Sequence, residues 1–177
     1  MAIRQIRIWP DPALSEVAAP VADVDDEIRT LVADMFETMY HAKGIGLSAI
    51  QIDVLSRVIT IDVSKEQNDK LILINPKITS YKDPILFDEG CLSVPGFYEK
   101  VDRFNFIEYS AQDLSGEYFS SEATGLKAVC IQHEIDHLDG KLFVDYLSDM
   151  KRNKIEKGLK KMKQSGADLK RDKNPYA

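Results

Sequence analysis

Ile131-Gln132-His133-Glu134-Ile135-Asp136-His137-Leu138-Asp139-Gly140 is the stretch on which the reading of this chain turns. His133 and His137 are one helical turn apart, so on a helix both imidazoles leave the same face and can share one ion. Glu134 stands beside them, where a carboxylate can take a proton from an ion-activated water. The competing reading is an exposed helix face with two histidines and a glutamate by chance. It is the weaker one, because the pattern is restrictive. Thr124 is placed to cap the start of this helix and Gly140 to end it, which predicts a helix from Thr124 to Asp139. A catalytic metal site takes three protein ligands and keeps one position open, so one ligand must come from elsewhere.

The remaining histidine is His41. Cys130 shares the stripe of His133 and His137, but at about 1.5 Å per residue its Cα lies roughly 10 Å along the axis from that of His137. A short thiol on one straight helix does not span that distance, and Cys130 reads as a small buried wall residue. Cys91, within Glu89-Gly90-Cys91-Leu92-Ser93, belongs to a loop-like or strand-like segment and could reach the ion from outside the helix. On these grounds alone an acidic residue or His41 stays open as the third ligand. An isolated cysteine is most often only a small buried residue.

Working outward, residues 1–24 read as an irregular entry segment limited by Pro10, Pro12 and Pro20. Asp25 and Asp26 suit a helix start. Ile28, Leu31, Val32, Met35, Phe36 and Met39 then recur at helical spacing, an amphipathic helix ending near Gly44. In Gly44-Ile45-Gly46-Leu47-Ser48-Ala49-Ile50-Gln51 the glycines mark either a helix-ending turn or backbone that something approaches closely. Gln51, in apolar company, needs hydrogen-bond partners and taken alone reads as structural. Residues 57–63 and 71–76 are β-branched runs that read as strands, with Asn75-Pro76 closing the second. Residues 101–113 and 117–123 read as two more strands joined around Ser115-Gly116. A last helix spans about 149–164, with Ile155, Leu159 and Met162 as a thin apolar stripe, and residues 166–177 read as a polar, frayed tail. Strands and helices do not alternate, so the class is α+β with a largely antiparallel or mixed sheet. Residues 1–165 are expected to form one catalytic domain that includes the last helix.

The chain has 177 residues, 44% of them hydrophobic and 29% charged, which fits one globular domain. No apolar run is long enough for a membrane span, and Met1 to Trp9 resemble neither a signal nor a transit peptide, so a cytoplasmic location is expected. The net charge of -6 divides unevenly: residues 151–177 carry +7 and residues 1–150 carry -13. A basic end on an acidic body can mark contact with nucleic acid.

Taken together, Gly44–Gln51, Glu89–Ser93 and Gln132–His137 resemble, in order and spacing, the three signature motifs of peptide deformylases, and the resemblance covers nearly the whole chain. It implies Cys91, His133 and His137 as metal ligands and Glu134 as general acid and base. The Gln51 amide and the Leu92 backbone N–H would be donors to the oxyanion. It implies one divalent ion per chain, usually Fe²⁺, with Zn²⁺ or Ni²⁺ able to replace it. The fold implied packs a central metal-binding helix among antiparallel sheets, with N-terminal and C-terminal helices. The substrate would be the N-formylmethionyl end of a nascent chain, which adds as a strand beside Ile45 and Gly46. The methionine pocket would be lined by Ile45, the stem of Glu89, Gly90, Leu126, Val129 and Cys130. Some bacterial members dock on the ribosome through a C-terminal helix, so Lys151, Arg152, Lys154, Lys157, Lys160, Lys161 and Lys163 could meet rRNA phosphates; a solvated lysine face explains them equally well. Neither membrane nor DNA is expected as a partner. Ser48, Tyr98 and Lys43 depart from common family residues without touching a ligand. Two rival readings are a zinc peptidase, disfavoured by a cysteine ligand, and a non-catalytic metal-stabilised module associated with the ribosome, which would want four protein ligands.

Overall fold

A hairpin of two long strands dominates the computed structural model, which describes residues 2–165. Its arms are β3 (Leu71–Cys91) and β4 (Val94–Gln112), in one antiparallel sheet with β1 (Gly46–Ser48), β2 (Val58–Ile61) and β5 (Tyr118–Thr124). The strand order in the sheet is β1-β2-β3-β4-β5, every neighbouring pair is antiparallel, and no mixed pairing occurs among these five strands. The helices are α1 (Asp26–His41), α2 (Gly125–Leu138) and α3 (Asp149–Gln164). The expected tail, residues 166–177, lies outside the described residues.

The largest difference from the sequence reading is in β3. Asn75-Pro76 does not close the strand, which continues to Cys91. Asn75 takes a left-handed conformation (φ 52°), and the register shifts between Ile74 and Lys77, so the proline sits in a bulge where no ladder N–H is required. The Asn75 side chain accepts from Val21 N–H (2.8 Å) and donates to Val21 C=O (2.9 Å), tying the entry segment to the sheet. Likewise β4 begins at Val94, so residues 101–113 are only its second half. The helices lie close to their expected bounds. Asp25 caps α1 by accepting from Ile28 N–H at 2.9 Å, while the turn after it puts the positive φ on Lys43 and not on Gly44.

Alternation in β2 sorts the core. Val58 and Ile74 join Leu31, Val32, Met35, Phe36 and Met39 of α1 in one cluster. Ile59, Ile61 and Leu73 join Val101, Ile107, Ala128 and Ile131 in a second cluster on the side of α2. The two-residue period of a strand sends neighbours to opposite faces, and here each face has its own helix. Each fully buried aliphatic side chain contributes about 1.5–3 kcal/mol before the entropy of ordering is counted. From α3, Ile155 and Leu159 enter the second cluster.

Candidate metal centre and substrate cavity

α2 delivers His133 and His137 side by side, with ring centroids 4.9 Å apart and planes at 79°. Cys91 arrives from the last residue of β3, with its Sγ 3.2 Å from His137 Nε2. One donor atom from each of Cys91, His133 and His137 lies within 4.8 Å of the others, and all three residues are buried. Two nitrogens and a sulfur held about 2.0–2.3 Å from one tetrahedral ion stand about 3.3–3.6 Å apart, so the cluster has the right scale for a single ion. His41 is exposed on α1 and is not among the three clustered residues. Cys130 is also outside that cluster; its Sγ faces the Ile45 carbonyl at 3.7 Å.

The Cys91 sulfur receives Ser93 N–H at 3.4 Å and Gln51 Nε2 at 3.5 Å. Gln51 is 1% exposed; its Nε2 also donates to Ser93 Oγ (3.1 Å), and its Oε1 accepts from Ser48 N–H (2.9 Å). The amide is therefore fixed in orientation against the sulfur. The N-terminal segment braces both neighbours: Arg7 N–H donates to Gln51 C=O (2.7 Å) and Trp9 N–H to Ser93 C=O (2.9 Å).

Behind His133 stands a charged relay that the sequence did not disclose. Glu89 Oε2 lies 2.8 Å from His133 Nδ1, which leaves Nε2 to face the cluster. Arg103 holds Glu89 through Nε (2.5 Å) and Nη2 (3.1 Å), and Asp136 through Nη1 (2.7 Å). Tyr146 donates to Asp136 at 2.9 Å, with the guanidinium 5.2 Å from its ring centre. Burial raises the carboxyl pKa of Glu89, but the bonds from His133 and Arg103 outweigh it and hold the group at about 2. For Arg103 burial opposes the charge, and Glu89 and Asp136 more than restore it. Burial lowers both histidines; hydrogen bonds to the Cys91 sulfur and Glu89 lift His133 well above its ordinary value. His137, facing His133 and Arg103, ends well below its own. A sulfur and two imidazoles thus meet at one point, with the Glu89 carboxylate behind His133, a donor set that fits a bound cation. A sequence signal for Arg103 did exist. Val101, Arg103, Ile107, Tyr109 and Ala111 share the buried phase of β4, and a cation in that phase must have buried partners.

Beside the cluster lies a small cavity that is open to solvent on one side. Ile45, Gly46, Glu89, Gly90, Leu126, Val129 and Cys130 all line it, together with Cys91, Leu92, His133 and Glu134; Gly44, which no site expectation included, lines it too. Glu89 presents its stem there while its carboxylate is engaged behind His133. Gly46 does not have a positive φ; it is glycine because α2 comes too close. A Cβ there would run into Glu134 Oε1, and its distance to Cys130 Sγ would be only 2.7 Å. At Gly44 a Cβ would fall 2.6 Å from the Leu92 side chain. The two glycines let the β1 segment lie directly against the helix that carries Glu134.

The family model for polypeptide deformylase matches residues 3–153 of this chain. The peptide deformylase of Alkalilimnicola ehrlichii is 54% identical over 167 residues, covering 94% of this chain and 94% of that protein. Peptide deformylase 1 of Ralstonia nicotianae is 55% identical over 162 residues, covering 91% and 96%. Among solved structures, a peptide deformylase from Legionella pneumophila is similar with a TM-score of 0.90 at 44% identity, over 93% of this chain and 98% of that one. The peptide deformylase from Ehrlichia chaffeensis in complex with actinonin gives 0.89 at 38% identity, over 93% and 99%.

Proposed function

Because the chain belongs to the peptide deformylase family, we propose that Cys91, His133 and His137 hold its divalent ion, with Glu134 as the proton-transferring group. The enzyme removes the N-formyl group from the N-terminal formylmethionine of newly synthesised polypeptides and releases formate. The observation that carries the residue assignment is the meeting of one sulfur and two imidazoles within 4.8 Å, beside a cavity that Glu134 lines. When bound, the ion supplies Lewis acidity, acidifying a water and polarising the formyl oxygen.

The chain's own groups do the rest. Glu134 takes a proton at its carboxylate and returns it to the departing amine nitrogen. The Gln51 amide, held by Ser48 and Ser93, and the Leu92 N–H donate to the formyl oxygen as it gains charge. Glu89 fixes the tautomer and orientation of His133 by accepting from Nδ1. The peptide lies along Ile45 and Gly46 as an added strand, and its methionine side chain enters the cavity formed with Gly90, Leu126, Val129 and Cys130. A thiolate with two imidazoles suits Fe²⁺, Zn²⁺ and Ni²⁺ alike; we take Fe²⁺ as the cellular ion. Formate release from a formyl-Met dipeptide should vanish when a chelator strips the protein and return with Fe²⁺ added anaerobically. Release that persists at full rate in metal-free protein would overturn the assignment. A peptidase is not favoured, because the donor cluster holds a cysteine as its third member.

We also place the enzyme in the cytoplasm, where formylated chains emerge; among the described residues no helix is long and apolar enough to cross a membrane. We take α3 as part of the catalytic domain, since Ile155 and Leu159 are buried in its core. Lys154, Lys157, Lys161 and Lys163 are exposed on α3, and we propose that they meet rRNA phosphates. Removing α3 would strip the core, so the test is charge reversal at these four positions. Ribosome binding should weaken and lose salt dependence while formate release from a dipeptide is unchanged; equal binding by both proteins would end the proposal.

A further inference from the structure

Pairing of β4 with β5 ends at Phe106↔Thr124, and the chain then turns into α2 at Gly125. The same register would put residue 126 opposite Phe104, but Leu126 is already in the first turn of the helix and lines the cavity. Phe104 pairs with Pro84 on the β3 side as a non-hydrogen-bonded pair, so both of its backbone groups point toward the side β5 has left. The backbone groups of Phe104 are nevertheless both satisfied. Its N–H donates to Gln132 Oε1 at 3.0 Å, and its C=O accepts from Gln132 Nε2 at 2.8 Å. Nε2 also donates to Ala128 C=O at 2.9 Å, one turn back along α2, and Gln132 is 5% exposed.

We propose that Gln132 is a positioning residue, whose side-chain amide supplies the ladder rung that β5 leaves unmade and so sets the depth and rotation of α2 against β4. It precedes His133 directly, and its attachment to Ala128 makes the amide rigid with respect to the helix. Cys91 belongs to β3, the strand paired with β4, so the amide is a short connection between the two parts of the donor cluster. A helix free to slide or roll by a fraction of an ångström would carry His133, Glu134 and His137 with it while Cys91 stayed behind. Packing alone is a poor substitute: apolar contacts tolerate small slides, whereas a paired donor and acceptor fix both position and roll. The inference rests on the reading of these histidines as metal ligands.

The test compares Gln132→Met, which keeps length and apolar volume but offers none of the three hydrogen bonds, with Ile131→Val, which trims a fully buried residue of the same helix. Both proteins are loaded with Co²⁺, and kcat, KM, Co²⁺ affinity and the visible absorption of the bound cobalt are measured. Gln132→Met should lower kcat and Co²⁺ affinity about 10–100-fold and alter the cobalt spectrum, with KM within about twofold of the parent. Ile131→Val should leave the spectrum and kcat as they are. Wild-type kcat and spectrum in Gln132→Met, or the same losses in Ile131→Val, would overturn the proposal. If Gln132→Met does not fold, Gln132→Glu replaces it, because its carboxylate still accepts from Phe104 N–H but meets two carbonyl oxygens. A loss of the same sign supports the role and parental values overturn it. A parent protein that binds no stoichiometric Co²⁺ would overturn the metal reading, and this inference with it.

Discussion

Glu134→Ala is expected to lower kcat for a formyl-Met peptide about 10²–10⁴-fold while the protein stays folded and keeps its metal. Two features separate these effects. Glu134 is on the side of α2 that faces Gly46, and it is not one of the three clustered donors. It is also 4% exposed, so the substitution removes a buried carboxylate and leaves a small hollow in place of a desolvated charge. Metal analysis, a thermal melt and a formate assay on one preparation check all three parts. Normal turnover by a metal-loaded Glu134→Ala protein would show that the proton is carried by another group. A loss of metal in parallel with activity would make Glu134 a ligand.

Arg103→Met should have the largest effect on stability, about 3–5 kcal/mol, and should weaken metal binding about 10–100-fold. Arg103 and Glu89 are 6% and 1% exposed, so water cannot replace the guanidinium when it is removed. Glu89 would remain as a buried anion hydrogen-bonded to His133 Nδ1, and Asp136 would lose its cation as well. The pair need not be worth that much to the fold; the cost comes from removing half of it. Chemical denaturation and a metal-competition titration measure the two effects. Glu89→Gln added to Arg103→Met should recover part of the stability but not the metal affinity, because the amide no longer offers a carboxylate to His133. A single Arg103→Met change within 1 kcal/mol of the parent would mean that the relay is solvated in solution.

Periodicity made the helices legible because it is a local property. Ile28 to Met39 and Ile155 to Met162 announce their faces, and Asp25, Thr124 and Gly140 mark ends within one or two residues of those found. The strands were harder to read. Between Lys77 and Asp88 the β3 arm is exposed or only half-buried on both faces, so no apolar alternation marks it, and Asn75-Pro76 looks like an end because the bulge that accommodates it is invisible without its partner strand. Arg103 by itself gives no local signal, for a related reason: a lone cation in a strand gains meaning only once its phase is known to be the buried one.

The sequence by itself determined the chemistry on offer. Two histidines and a glutamate at helical spacing need no tertiary information to share a helix face, because the helix repeat places them there. Residue chemistry left the third donor open and the family resemblance pointed to Cys91; the tertiary structure brings its sulfur to the two imidazoles, turns Glu89 behind His133, and requires glycine at Gly46 because α2 passes against it. Those relations join residues 40 to 90 positions apart. They are set by how β3, β4 and α2 pack together, which no local pattern encodes.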